Sequence, residues 1–174
     1  LSVCIATYNG GNYIMDQVSS ILPQLSEEDE IIVSDDGSTD RTLEIIKSLN
    51  DSRIKVFPHV KEHNPHYPGT KTIYATSNFE NALSKCSGDI IFLSDQDDVW
   101  YEGKVKKCLE LLQQNDFVMS NYSLVDDNLK MVRQRAYNKP PFGKNILKVI
   151  KDPHMPGCCF CFKNRKSFVY QRSK

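Results

Sequence analysis

The most constraining feature of this sequence is the run Ile31-Ile32-Val33, three β-branched residues followed at once by Ser34-Asp35-Asp36-Gly37-Ser38. A strand with one face in water alternates apolar and polar residues. A continuous apolar run needs cover on both faces, as in a parallel sheet wrapped by helices. The pattern recurs along the chain. Ser2-Val3-Cys4-Ile5-Ala6 reads as a strand that stops at the turn-rich Thr7-Tyr8-Asn9-Gly10-Gly11, and a strand over Asp89 to Leu93 runs into Asp95-Gln96-Asp97-Asp98.

Helical periodicity fills the intervals. Ile14, Val18, Ile21 and Leu22 recur on one helix face, and Pro23 should end that helix. Leu43, Ile46 and Leu49 mark a second helix, with Ser38 or Thr39 as its expected N-cap and Asp40, Glu44 and Lys47 placed to suit its dipole. A third strand is expected at Ile54 to Phe57, followed by a long loop over 58–72 that carries three prolines and three histidines and gives those histidines no metal role. A helix through Phe79, Ala82 and Leu83 precedes the strand at 89–93, and Val105, Cys108, Leu109 and Leu112 keep helical spacing after it. Phe117 to Met119 reads as a strand, Leu124-Val125 with Met131-Val132 as a hairpin, 146–150 as a helix, 158–162 as a strand, and the end as an amphipathic segment. This alternation predicts one α/β domain over 1–174. Its sheet is mainly parallel with helices on both faces, and strands of other orientation finish it.

With 174 residues, 40% of them apolar and 25% charged, the chain has the length and composition of an ordinary globular domain. Its 22 basic residues balance its 22 acidic ones, so no global field gathers nucleic acid or anionic lipid. Lys163, Arg165, Lys166, Arg172 and Lys174 read as a solvated helix face. Apolar stretches such as Ile90-Ile91-Phe92-Leu93 are far too short to span a bilayer. No secretion leader precedes the first strand, although a chain that begins without Met gives that absence little weight. The six cysteines form no secreted disulfide framework, and a reducing cytoplasm suits them. Cys158-Cys159-Phe160-Cys161, with His154 upstream, lacks the spacing of a zinc knuckle and reads as a buried strand.

In an open α/β sheet, ligands bind beyond the carboxyl ends of the strands. Parallel strands would therefore bring the loops at 7–11, 35–38 and 95–98 onto one rim. Asp95 and Asp97 are one residue apart, so on an extended backbone both carboxylates point the same way. Two such charges about 4 Å apart repel by roughly 1 kcal/mol in water and about 4 kcal/mol at an effective dielectric near 20. Three carboxylates in four residues at the mouth of a buried strand need a cation, protonation or very good solvation. Their hard oxygens suit Mg²⁺ or Mn²⁺, which take substrate phosphates as further ligands. Asp95 and Asp97 are the expected metal ligands, whereas Asp98 reads as a cap for the helix beginning near Glu102. Asp35 and Asp36 either cap the second helix or accept hydrogen bonds from a base N–H or a ribose hydroxyl, and their spacing leaves both roles open.

Taken together, Ile5-Ala6-Thr7-Tyr8-Asn9-Gly10, Val33-Ser34-Asp35-Asp36-Gly37-Ser38-Thr39-Asp40 and Gly88-Asp89-Ile90-Ile91-Phe92-Leu93-Ser94-Asp95-Gln96-Asp97-Asp98-Val99-Trp100 resemble the family 2 glycosyltransferases of the GT-A fold. The resemblance is close over residues 1–120 and looser beyond. Asp-Gln-Asp-Asp-Val-Trp looks most like bacterial enzymes that build surface polysaccharide, rhamnosyltransferase-like members among them. The resemblance implies a GT-A type, Rossmann-like, mainly parallel mixed sheet. It also implies a UDP- or dTDP-linked sugar donor, a Mg²⁺ or Mn²⁺ cofactor, and a glycan or lipid-linked acceptor met at the inner face of the membrane. On this likeness Asp36 reads the base, with Asp35 beside it in the donor loop, and Thr7, Tyr8 and Asn9 line the nucleotide pocket. Asp95 contacts ribose or sugar, Asp97 ligates the cation, and Trp100 packs beneath the loop.

Members of this kind invert the anomeric centre with a carboxylate base well downstream of the acidic motif. Gly157-Cys158 and Asn164-Arg165-Lys166 resemble the segment before that base, and Asp152 precedes rather than follows it. The expectation is a fragment whose base lies beyond residue 174 and which binds donor without efficient transfer. Two other classes fit less well. A haloacid-dehalogenase-type phosphohydrolase carries its D-x-D after the first strand, and a non-catalytic nucleotide-binding module would need the same rim without turnover.

Overall fold

A computed structural model of the chain describes residues 1–60, 71–134 and 157–164. Strand β1 (Ser2–Thr7) leads to helix α1 (Ile14–Ile21), strand β2 (Glu30–Asp35), helix α2 (Thr42–Ser48) and strand β3 (Ile54–Pro58). Helix α3 (Lys71–Lys85), strand β4 (Ile90–Ser94), helix α4 (Lys104–Leu112) and strand β5 (Phe117–Met119) follow. The hairpin β6 (Leu124–Val125) and β7 (Met131–Arg133) stands apart, and β8 (Phe160–Lys163) returns to the main sheet.

The main sheet has the order β3-β2-β1-β4-β8-β5. Strands β1 to β4 are parallel, while β8 runs antiparallel to both β4 and β5. This is the α/β, mainly parallel mixed sheet anticipated above, with helices on both faces. Side-chain alternation shows how the faces divide. Val3, Ile5, Ile31, Val33 and Phe92 point into a core with Ile14, Val18 and Ile21 of α1, Ile46 of α2, and Val105, Cys108 and Leu112 of α4. Cys4, Ile32 and Ile91 point the other way, against Ala82 and Cys86 of α3. Every residue of β2 is buried, as its unbroken apolar run requires.

Several boundaries differ from the expected ones for local reasons. The α-helical ladder of α1 stops at Ile21, and Leu22–Gln24, with Pro23 in its first turn, makes one 3₁₀ turn. Helix α2 starts at Thr42, and neither Ser38 nor Thr39 caps it. Instead Asp40 Oδ1 accepts the Thr42 N–H at 3.0 Å, because Ser38 and Thr39 are engaged with Asn9. The strand expected at 158–162 opens as a 3₁₀ turn over Gly157–Cys159. The helix expected at 146–150, the amphipathic end, His63, His66 and His154 lie outside the described residues. All six cysteines are unbridged and buried. Among the described residues no helix is long and apolar enough to cross a membrane.

At the amino ends of the strands, Glu30 ties the elements together. Its Oε1 accepts from Ser2 Oγ at 2.6 Å and from Ser87 N and Oγ at 2.7 Å each, and its Oε2 accepts from Lys55 Nζ at 2.7 Å. Burial alone would raise this carboxyl, but the hydrogen bonds from Lys55, Ser2 and Ser87 outweigh it and hold the pKa at about 2. Glu30→Ala is expected to cost about 1–3 kcal/mol at pH 7, the range for stranding buried donors. With the ordinary value at 4.5 and the folded one at about 2, the contribution is full above pH 4.5 and fades as the pH falls towards 2. Urea unfolding at pH 7 and pH 3 should show the gap between wild type and variant narrowing in acid.

Candidate functional site

Chain order places a crevice at the carboxyl ends of β1 and β4. From β1 the chain builds outward to β2 and β3 on one side, then crosses to β4 on the other. The three turn-rich loops meet at this rim and are bonded to one another. Gln96 is the clamp between the first and third loops. Its Oε1 accepts from Thr7 Oγ1 and from the Tyr8 N–H, both at 2.8 Å, and its Nε2 donates to Tyr8 O at 3.2 Å. Gly10 packs so closely here that an added Cβ would lie 2.5 Å from Gln96 Oε1. The first and second loops are joined by Asn9 N to Ser38 Oγ at 2.9 Å, Thr39 N to Asn9 Oδ1 at 2.8 Å, and Gly11 N to Asp40 Oδ2 at 2.9 Å. Asn9 adopts the left-handed region at φ +50°, which asparagine tolerates better than most side chains. Thr7 O accepts from the Asp36 N–H at 2.9 Å and from Asn78 Nδ2 of α3 at 3.2 Å, so the helix on the far face also braces the rim.

The acidic side chains divide by what they touch. Asp35 is turned into its own loop: Oδ2 accepts from Gly37 N at 3.1 Å and Ser38 N at 2.9 Å, and Oδ1 accepts from Ser38 Oγ at 2.5 Å. Gly37, at φ +79°, provides the backbone conformation this turn needs. Asp35 therefore shapes its own loop, and Asp36 is the second acid there. Asp36 is buried, and its Oδ1 lies 2.8 Å from Nδ1 of the equally buried His59.

In the third loop the acid grouped with Asp95 and Cys158 is Asp98. After β4 the chain turns at Gln96 and Asp97 instead of running extended, so residues three apart come together. Asp95, Asp98 and Cys158 offer ligand atoms within 4.8 Å of one another, while Asp97 is exposed. Asp98 is no helix cap, since α4 begins from Gly103 without a side-chain cap. Asp95 Oδ2 accepts from the Cys158 N–H at 3.3 Å. Asp98 Oδ2 is buried and has no hydrogen-bond partner among the described residues. Burial raises the Asp98 carboxyl above its ordinary range. Cys158 opposes that rise, Asp97 adds to it, and Lys104 opposes it. A folded pKa above the unfolded one means that ionised Asp98 weakens the fold at neutral pH, an effect relieved in acid or by a cation. The donor set fits a hard divalent ion on two carboxylates. The Cys158 thiol is held protonated by its bond to Cys159 and by burial, so it contributes less.

Trp100 packs beneath this loop, 5.5 Å from the Phe92 ring, with Lys104 Nζ 4.5 Å above its own ring. Lys104 also donates to Cys158 O, which links α4 to the turn that carries Cys158. Beyond the loop a cavity of about 570 Å³ opens between α4, β5 and the hairpin, with Asp97 and Asp98 at one end and Tyr122, Leu129 and Met131 at the other.

Gln96 and His59 carry no signal as ligands in the sequence. Gln96 hides between two acids, and His59 stands out only as a polar residue directly following a parallel strand, the position where rim residues occur.

A parallel sheet with an acidic, loop-built crevice at its switch point is the architecture of a nucleotide-binding α/β protein. The sequence profile of Glycosyl transferase family 2 matches residues 2–172, and the chain belongs to that family. It is 34% identical over 115 residues to the dTDP-rhamnosyl transferase RfbG of Shigella flexneri, covering 64% of this chain and 38% of that one. Its fold matches TarS 1-349 of S. aureus in complex with UDP at a TM-score of 0.64 and 22% identity, over 93% of this chain and 46% of that one. It also matches glucosyl-3-phosphoglycerate synthase of Mycobacterium tuberculosis in complex with Mn²⁺, UDP and phosphoglyceric acid, at a TM-score of 0.53 and 25% identity, over 68% and 41%. The chain spans about half the length, or less, of the curated relatives it matches.

Gln96→Ala removes three hydrogen bonds between the first and third loops and is expected to speed hydrogen exchange of the Tyr8 amide by about tenfold, on the order of one lost hydrogen bond. Amide exchange followed by NMR checks this, and unchanged Tyr8 protection would mean that the loops do not depend on the clamp.

Proposed function

We propose that this chain binds a UDP- or dTDP-linked sugar across the carboxyl ends of β1, β2 and β4 with Mg²⁺ or Mn²⁺, for inverting transfer of the sugar to a glycan or lipid-linked acceptor. One observation carries the reading. Asp95 and Asp98 stand together beside the first loop, and Asp98 keeps a buried oxygen without a partner among the described residues. A protein retains such an atom at the mouth of a strand when something else completes it.

Tyr8, half exposed on the first loop, offers a ring for the base to lie against, and Asp36 offers a carboxylate to a base N–H. Thr7 and Asn9 hold that loop in place, Thr7 through Gln96 and Asn9 through Ser38 and Thr39. Asp95 and Asp98 would hold the cation, with exposed Asp97 facing the diphosphate side. When bound, the cation would offset the charge that develops on the leaving diphosphate as the sugar–phosphate bond breaks. The cavity past Asp97, with Tyr122, Leu129 and Met131 on its wall, suits an acceptor that brings apolar surface to the transfer site. Inversion calls for a carboxylate that takes the acceptor hydroxyl's proton. That base is expected downstream of the segment around β8, and no described residue is assigned the role. A phosphohydrolase would carry the acidic pair after β1, whereas here it follows β4.

Asp98→Asn distinguishes a cation ligand from a structural acid by effects of opposite sign. The variant is expected to leave the metal-free fold at least as stable as wild type at pH 7. It should weaken Mn²⁺-dependent UDP binding by about tenfold or more, the scale on which lost metal-site partners act. Thermal shift with Mn²⁺ alone and with Mn²⁺ plus UDP reads both. A destabilised metal-free protein with unaltered Mn²⁺ dependence would move the cation elsewhere. Asp97→Ala, measured alongside, should cost less than Asp98→Asn in affinity for the metal alone.

A further inference from the structure

We propose that Cys158 makes the cation site selective for thiophilic divalent ions: its sulfur joins Asp95 and Asp98 as a third ligand for Zn²⁺ or Co²⁺, a ligand that Mg²⁺ leaves unused. The inference rests on the reading above, in which Asp95 and Asp98 hold the cation.

The thiol is placed beside the carboxylates by contacts that do not involve its sulfur. Cys158 sits in the 3₁₀ turn Gly157–Cys159, its N–H donates to Asp95 Oδ2 at 3.3 Å, and its carbonyl accepts from Lys104 Nζ. A residue pinned through both its amide and its carbonyl has little freedom in where its Cβ points. Its sulfur stands with one oxygen each of Asp95 and Asp98 in a group whose atoms all lie within 4.8 Å of one another. Zinc–sulfur bonds of about 2.3 Å and zinc–oxygen bonds of about 2.0–2.2 Å put the corners of a tetrahedron roughly 3.5 Å apart. Modest side-chain rotations close the observed spacing around such an ion. The corner is also dry: Cys158 is 6% exposed, and Asp98 Oδ2 is buried with no hydrogen-bond partner among the described residues. Cys159, whose sulfur is 4.0 Å from that of Cys158, does not belong to the group.

The chemistry of the three ligands separates one class of ion from another. Mg²⁺ takes oxygen and keeps its waters, so towards it the neutral thiol is a bystander and the two carboxylates do the binding. Zn²⁺ and Co²⁺ accept sulfur readily, and the thiol proton leaves for solvent as the metal–sulfur bond forms. Two carboxylates and a thiolate around a divalent ion leave one surplus negative charge. Lys104, whose charge acts on Asp98 and whose ammonium is bound to the Cys158 carbonyl, stands where it offsets that surplus.

Co²⁺ reports the bond directly, because a cobalt–thiolate bond gives a near-ultraviolet charge-transfer absorption that oxygen ligands do not. The test is titration with Co²⁺ read by absorption, then competition by Zn²⁺ and by Mg²⁺, on wild type, Cys158→Ser, Cys159→Ser and Asp98→Asn. Wild type is expected to develop the thiolate band as Co²⁺ binds. Cys158→Ser, which keeps both backbone contacts, should lose the band, and Cys159→Ser should keep it. Asp98→Asn should weaken Co²⁺ binding read at the same band, which ties the sulfur to the carboxylates rather than to the other buried thiols. In competition, Cys158→Ser should cut the preference for Zn²⁺ over Mg²⁺ by at least about tenfold, the scale on which even the groups behind metal ligands act. Wild type that binds Co²⁺ without a thiolate band would overturn the proposal, whatever the variants do. So would a band that survives in Cys158→Ser. Both outcomes leave the cation reading standing, whereas wild type that binds no divalent ion would remove that reading and this one together.

Discussion

The rim depends on β1 being paired in parallel along both edges. Thr7, the last residue of β1, lies opposite Asp35 of β2, and Ile5 lies opposite Ser94 of β4. Those registers bring three strand ends to one level, so the loops that follow can reach one another through single side chains. Gln96 then closes the gap between the first and third loops, while Asn9 and Asp40 close the gap between the first and second. Slipping β4 by one residue would turn Phe92 out of the core and carry Gln96 away from Tyr8 at the same time. Packing and site geometry are therefore one constraint.

The rim also concentrates negative charge, and each carboxylate is handled differently. Asp35 is satisfied by the amides and hydroxyl of its own turn, Asp40 serves the start of α2 and Gly11, and Asp36 is held by His59. Asp95 takes a backbone amide from Cys158, which arrives from the far end of the described chain. Asp98 is left with a raised pKa and a buried oxygen lacking a partner among the described residues. Lys104 moderates the cost from the side of Trp100 without pairing with the acids. Gln96, between Asp95 and Asp97 in the chain, is bonded to the backbone of Tyr8, so the first and third loops are held as one unit.

Elements were legible because their signals are local. The β-branched run of β2, the face made by Ile14, Val18 and Ile21, and the spacing of Val105, Cys108 and Leu112 state which residues must be buried. Burial on a strand or helix follows a period that neighbours in sequence reveal. The convergence of the loops was legible too, since it follows from parallel order alone. Cap positions were less so: Ser38 and Thr39 have the chemistry of N-caps but are drawn away by Asn9, a residue about 30 positions earlier.

The sequence by itself determined that this is an α/β domain with an acidic, turn-rich rim and the motifs of family 2 glycosyltransferases. Those properties reside in composition and period along the chain. Only the tertiary structure decided which acids meet. A turn at Gln96 and Asp97 sets Asp98 beside Asp95, and an antiparallel strand from the far end of the described chain delivers Cys158 to them. It likewise decided that Asp35 serves its own loop, and that Asp36 is held by a histidine from the next strand. Side-chain direction at the end of a strand depends on where the backbone turns and on what packs against it. Neither is fixed by residue type.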